Sequence, residues 1–410
     1  MCEKLCFRWF MVKRSVNLIW PMLFVGLSFS SLSQVQYKSM LRLPDTGQSM
    51  SYTTTFGEDN DYNIFPPAFT HHGDGTVTDT ITGLMWQQLD GGEMTFENSQ
   101  IYCNNLTLGG YTDWRLPNIY EAFSILNHQN VNPPLDLTYF SSSLADYWWT
   151  NDNQVNDPAK IWVTNAGGGI GNHPKTETLS AGGNKRFHVR AVRDVNQPMF
   201  IANRFIDNGN NTLTDQLTEL TWQVNSSSDT MTWEQALIYA NTLSLNGKSW
   251  RLPNVKELQS INDATLVHPC LNPLFGDVLS KKYWSSTSLP NQSTKAWYAD
   301  TEYGITTYDF KTSRHFVRCV SENPSLAQMN KIDDQRATIY PNPFEDQLTV
   351  LLPSSKAVTF LLMDHTARTL YKTILTGSTN LFLDNLTQGV YTFQIQTEAG
   401  ENQQGVIIKQ

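Results

Sequence analysis

Cysteine, positive charge and long apolar runs are all scarce in this 410-residue sequence. Of its five cysteines, Cys2 and Cys6 stand at the very start. A disulfide-dense scaffold is therefore excluded, and a packed core has to hold the fold. Lysine and arginine total 29 against 38 aspartates and glutamates, for a net charge of −9. Nucleic acid is not expected as a partner, because neutralising its phosphates needs a basic face. The spacings that announce chemistry are missing too. There is no HExxH, no GxSxG and no EF-hand loop, which removes common zinc, serine-hydrolase and calcium signatures. The histidines, among them His71, His72, His128, His173, His188, His268 and His315, fall in no ligand spacing. No catalytic residue and no cofactor is expected, and metal binding is left open.

What is present describes a folded chain. With 40% hydrophobic and 16% charged residues, the composition is globular and the length suits two to four domains. One apolar run, Leu18 to Phe29, follows Lys4, Arg8, Lys13 and Arg14 and precedes Ser30, Ser31 and Ser33. It is too short for a confident membrane span, and the order of charge, apolar run and small residues is that of a secretory signal, residues 1–34. The expected mature chain has no transmembrane span.

Of the twelve tryptophans, ten lie in a central region that is written twice. WRLPN occurs at Trp114 to Asn118 and again at Trp250 to Asn254, 136 positions apart. The same offset relates Trp86 to Trp222, Asp79 to Asp215, Glu121 to Glu257 and Trp148 to Trp284. Each copy of about 125 residues is too long for a solenoid unit and should carry its own core. On this reading residues 35–70 are a linker or irregular lead-in, 71–195 and 196–322 are the repeats, 323–337 is a second linker, and 338–410 a terminal domain.

Within each repeat two strands open the unit, GTVTD then Leu84 to Trp86, and NTLTD then Leu220 to Trp222. A helix capped by Thr95 or Thr232 follows, carrying Tyr102, Cys103 and Leu106, or Ala236, Tyr239, Ala240 and Leu243, at helical spacing. Gly109 and Gly247 mark its end. A second short helix follows WRLPN, and the remainder reads as short strands and long turns. The expected class is α+β, two such domains followed by a small all-β sandwich.

The WRLPN segment has an architectural reading. Trp114 and Trp250 fill core, Arg115 and Arg251 make forked bonds to Glu121 and Glu257, and the proline fixes the turn. Arg190 and Arg318 read the same way. Asp74, Asp79, Asp207 and Asp215 sit among glycines and asparagines, where turn formation is the expected role. The candidate ligand site is the aromatic and polar cluster after the second helix: Tyr147, Trp148, Trp149, Asn151 and Asp152, with Tyr283, Trp284 and Ser285 in the second copy. Trp149 stands out because letter-by-letter alignment sets it against Ser285. An exposed ring could stack on a sugar face while amides and carboxylates fix hydroxyls, and the competing reading packs it between the repeats.

Two resemblances follow from these motifs. YPNPFEDQLTV (Tyr340 to Val350), LLMD, LTQGVYTFQI and the terminal GVIIKQ resemble the C-terminal sorting domain of type IX secretion, with a departure at His365 to Ala367. That implies the secretion machinery as partner and a secreted or outer-surface location. TGLMWQ and TELTWQ, the helix ending YCNNL or YANTL, both WRLPN copies, and VRAV or VRCV resemble the Lcl C-terminal domain, named for a collagen-like surface adhesin. Members look distantly like the C-type-lectin-like fold, so the resemblance implies two tandem C-type-lectin-like domains. Calcium-binding lectin triplets are absent. In such folds a disulfide ties the first helix to the last strand, at positions held here by Cys103 with Ala191 and by Ala240 with Cys319. Each copy keeps one half. The comparison favours a bridge between Cys270 and Cys319, with Cys103 a buried thiol.

The function expected from these features is a secreted, surface-attached binding or adhesion protein. It would recognise a glycan or surface protein through loops of both domains, with avidity from the duplication. The adhesin relative implies sulfated glycosaminoglycans, against which the chain's acidity argues. The alternatives are a cell-surface hydrolase or modifying enzyme, and a structural envelope component.

Overall fold

The computed structural model describes residues 36–62, 64–140, 145–176, 186–196, 198–201, 203–277, 279–322, 337–340, 344–352, 357–364, 368–376, 379–397 and 402–410. The expected signal peptide, nearly all of the second linker and the His365 to Ala367 turn lie outside these residues.

Four helices stand where the capping chemistry puts them. The Thr95 side chain accepts from the Asn98 amide and opens α1 (Phe96–Asn105). In α2 (Ile119–Ser124) the WRLPN asparagine is the cap: Asn118 accepts from the Glu121 amide, and Glu121 reaches back to the Asn118 amide. This reciprocal box satisfies two backbone donors at once. The second copy repeats the asparagine box at α4 (Val255–Ser260), and at α3 (Trp233–Thr242) the Gln235 side chain accepts from the Thr232 amide. Gly109 and Gly247 do not end the helices. Each lies beyond the cap in a tight turn, at φ +59° and +65°, closed by Leu108 with Tyr111 and by Leu245 with Lys248.

Strands make up 38% of the described residues and helices 12%. The expected α+β, C-type-lectin-like class is therefore corrected to a mainly β protein of several sheets. Helices of six and ten residues are too short to form a layer of their own. The stretches that read as turns form long hairpins instead. Each repeat opens with a four-stranded antiparallel sheet. In the first copy its order is Val192–Asp194, Leu84–Gln87, Thr76–Asp79, Phe69–His71, and in the second the matching strands are Val320–Glu322, Leu220–Gln223, Thr212–Asp215 and Phe205–Asp207.

One further sheet belongs to both copies. Its eight strands run Lys282–Ser288, Lys295–Asp300, Ile305–Phe310, then Ile170–Pro174, Asp157–Asn165, Tyr147–Gln154, Phe187–His188 and Glu93–Met94. The copies join antiparallel where Thr306 faces Ile170, nearly equivalent positions, so the contact has the form of a two-fold interface within one chain. A Cβ on Gly169 would lie 2.8 Å from the Thr306 carbonyl oxygen, which is why the join demands glycine there. The core crosses this boundary as well. Trp297, Val255 and Leu289 of the second copy pack with Trp162, Phe123, Ile170 and Leu126 of the first, and the Trp297 ring meets His128 edge-on at 5.3 Å. Each copy also keeps a core of its own.

In the tail, a three-stranded sheet (Thr338–Tyr340, Gln347–Leu351, Thr379–Phe382) and a four-stranded one (Thr369–Leu375, Val358–Met363, Gly389–Thr397, Asn402–Lys409) share one apolar core.

Candidate functional site between the repeats

The expected ligand cluster is core. Trp148, Trp149, Tyr283, Trp284 and Ser285 are buried, while Tyr147 is half-buried against the His173 and Phe187 rings. Trp149 packs inside the first copy, not between the copies. The bonds also re-align the repeats. Trp149 Nε1 donates to the Met94 carbonyl and Trp284 Nε1 to that of Met231. Thr150 and Ser285 each donate to the carbonyl of a tryptophan, Trp162 and Trp297. Trp149 therefore corresponds to Trp284, Trp148 to Tyr283 and Asp152 to Thr287. The contrast of Trp149 with Ser285 came from a one-residue slip. Asn151 is exposed, and Asp152 accepts from the Ile119 amide at 2.7 Å, capping α2.

The remaining sequence candidates form frameworks. Arg115 donates through both Nη atoms to Glu121 at 2.7 and 2.8 Å, and Arg251 does so to Glu257 at 2.7 and 2.6 Å. Arg190 and Arg318 reach inward to pairs of backbone carbonyls, Gln87 and Gln88 or Gln223 and Val224. Burial pushes Arg190 down to about 10. Trp114 and Trp250 donate to the Leu108 and Leu245 carbonyls. Asp74, Asp207 and Asp79 accept from turn amides, and Asp215 is forked to Arg204. Among the described residues no group of three or more His, Cys, Asp or Glu side chains could hold a metal ion.

Cys103, Cys270 and Cys319 are all free and buried. The expected Cys270–Cys319 bridge is corrected: Cys319 lies in the core around α3, whereas Cys270 sits beside Asn262 and Gly304. Burial raises the Cys103 and Cys270 thiols to about 12, so they remain protonated and inert.

What sequence reasoning missed is the space between the copies. A cavity of about 310 Å³ opens where α2 meets α4, roofed by residues 39–43. From the first copy come Asn118, Tyr120, Phe123 and Ser124, and from the second Arg204, Leu217, Thr218, Lys256, Gln259 and Ser260. Its polar groups are held from behind. Tyr120 donates to the Asn262 carbonyl at 2.5 Å and accepts from the Ala264 amide. Lys256, the positional counterpart of Tyr120, donates to the Ser124 and Asp45 carbonyls at 2.7 and 2.8 Å. Each side chain thus crosses to the opposite copy. Burial lowers the Lys256 ammonium to about 8. Arg204 donates to Asp215 and to the Ser260 carbonyl. The duplication was the available signal, because a two-fold interface leaves a cleft along its axis.

The lead-in, read from sequence as a linker or irregular segment, is irregular in backbone yet is no tether. Asp45, Glu58 and Asp59 are buried and bond to the second copy. Thr287 donates to Asp59, Ser288 to Glu58 and Asn254 to Asp45. Burial raises Asp45 from 3.8 to about 6 and Asp59 well above its ordinary range. A carboxyl whose folded pKa exceeds its unfolded value adds stability below the unfolded pKa and loses it as pH rises through the folded one. Asp45→Asn, which mimics the protonated form, should therefore gain on the wild type by about 2 kcal/mol between about pH 4.5 and 7.5. Urea unfolding at both pH values checks this, and an unchanged difference refutes it.

Comparison with known proteins adds the family. The Lcl C-terminal domain model matches residues 75–193 and 211–321, more than half of the chain. The secretion system C-terminal sorting domain matches residues 338–409, which indicates type IX export to the cell surface or medium. No curated protein matches. Similar solved structures include a DUF3244-family protein with an immunoglobulin-like β-sandwich fold from Bacteroides vulgatus, at 15% identity and TM-score 0.17, covering 19% of this chain and 87% of that one. Another is CopC from Methylosinus trichosporium OB3b, at 10% identity and TM-score 0.14, covering 18% and 91%. Likeness at this level carries no argument. No helix among the described residues is long and apolar enough to cross a membrane.

Proposed function

Because the chain belongs to the family of the Lcl C-terminal domain, in two copies ahead of a type IX sorting tail, we propose that it is a surface-displayed binding or adhesion protein whose ligand enters the cavity between the copies. The observation that carries this reading is the cavity itself, with walls from both repeats and a roof from the lead-in. Its volume lies at the small end of ligand sites, and pre-set polar groups around an apolar lining fix a ligand's orientation. Arg42, Lys256 and the Asp215-paired Arg204 bring cationic groups beside Met40, Leu43, Phe123 and Leu217. A compact ligand with an apolar face and one acidic group fits this lining, and a carboxylated sugar at the end of a glycan has both.

Binding is favoured over hydrolysis because the nearby carboxylates are already committed. Asp215 lies in the Arg204 fork, and Asp45 and Asp59 accept from amides and hydroxyls. The test is titration calorimetry of the mature protein with uronic and sialic acids. At least one should bind with a Kd in the micromolar to millimolar range, on the order of −4 to −8 kcal/mol. Leu217→Trp, which fills the cavity, should abolish the heat and leave the melting temperature unchanged. No heat with any sugar acid, or equal heat from the filled variant, refutes the site.

A further inference from the structure

The two copies differ in what covers one shared face. In the second copy the lead-in lies across α3 and the start of α4. Thr53 donates to Glu234, Asn241 donates to the Phe56 carbonyl and accepts from the Tyr62 hydroxyl, and the Tyr62 ring lies 5.3 Å from the Arg251 guanidinium carbon. Asn254 and Thr287 complete the face by donating to Asp45 and Asp59. Gly57 passes so close that a Cβ there would stand 2.4 Å from Asn241 Nδ2, at φ +113°.

The first copy carries the same residues in the same places. Glu97, Asn104, Arg115 and Asn118 correspond to Glu234, Asn241, Arg251 and Asn254, and although Asn118 lines the cavity beneath the lead-in, none of these contacts is made to Glu97, Asn104 or Arg115 among the described residues. The Arg115 side chain is 35% exposed where that of Arg251 is 5% exposed. Glu97 and Asn104 are exposed while their counterparts are half-buried. One position differs in charge: the lead-in's Asp59 meets the Thr287 hydroxyl, but Asp152 stands at that point in the first copy.

We propose that this face of the first repeat docks an extended segment of a partner polypeptide, built like the lead-in but bearing a hydrogen-bond donor where the lead-in has Asp59. The partner's aromatic ring lies on Arg115, its hydroxyl meets Glu97, and its backbone carbonyl takes the Asn104 amide. A second copy's lead-in is the wrong occupant, because its Asp59 would face Asp152 at close range, and like charges so placed repel.

The probe is a labelled peptide of residues 45–62, made in the native form and as Asp59→Asn, and the readout is fluorescence anisotropy on the mature protein. The Asn peptide should bind about tenfold more tightly than the native one, and Asp152→Thr in the protein should remove that preference. Asn104→Ala, an exposed change that spares the core, should weaken binding about fivefold, whereas Asn241→Ala should not. Saturable binding that ignores Asn104 and Asp152, or no saturable binding by either peptide, overturns the proposal.

Discussion

Arg251→Ala is expected to cost about 4 kcal/mol of stability, and Arg115→Ala about half of that, although both arginines occupy the same place in WRLPN. Arg251 is buried. It is forked to Glu257, donates from Nε to Glu322 at 3.1 Å and lies under the Tyr62 ring. Removing it strands the Glu257 carboxylate, itself 7% exposed, without the ion pair it makes here. Breaking a buried pair in this way costs about 3–5 kcal/mol, most of it the uncompensated charge. In the first copy the same fork binds Glu121, itself fully buried beneath Arg115, but the Arg115 side chain is one-third open to solvent, so its removal opens the vacated space to water that screens the carboxylate. Urea unfolding of the two variants measures the difference, and equal losses would contradict the covering role assigned to the lead-in.

The second large effect belongs to Trp297→Ala. This indole is 2% exposed and belongs to the core that both copies share. Truncating a buried tryptophan costs about 3–5 kcal/mol through lost transfer energy and the cavity left behind. The place of the loss matters as much as its size. Trp149 is equally buried but lies within the first copy, so Trp149→Ala should destabilise that copy while leaving the join intact. Trp297→Ala should loosen the join.

The particular residues show what the sequence could reveal. Helix starts were legible because Thr95, Asn118, Thr232 and Asn254 each precede a residue three places on that can complete the cap. The forks of Arg115 and Arg251 were legible because a guanidinium needs a carboxylate within reach and each glutamate follows at six positions. The β content was under-read, because the hairpins from Tyr147 to Pro174 and from Lys282 to Phe310 carry hydroxyls and amides that suit turns equally well. Trp149 misled because YWWT and YWSS align by letter, whereas the indole bonds to Met94 and Met231 align them by structure. The lead-in misled as well. Asp45, Glu58 and Asp59 stand in a polar stretch with no periodic pattern, yet Asn254, Ser288 and Thr287 supply them with donors from more than 200 positions away. The join between the copies and the cleft beside it rest on pairings roughly one repeat length apart, Thr306 with Ile170, Tyr120 with Asn262 and Lys256 with Ser124, which no local pattern encodes.

The account's central claim is that the two repeats form one body, joined through a common sheet and core, with the ligand cavity on the line between them. Amide hydrogen exchange on the Trp297→Ala protein tests it most directly. The account predicts that strands Ile170–Pro174 and Ile305–Phe310 lose protection together, although the substitution lies in the second repeat alone. Loss confined to Ile305–Phe310, with Ile170–Pro174 protected as in the wild type, would contradict it.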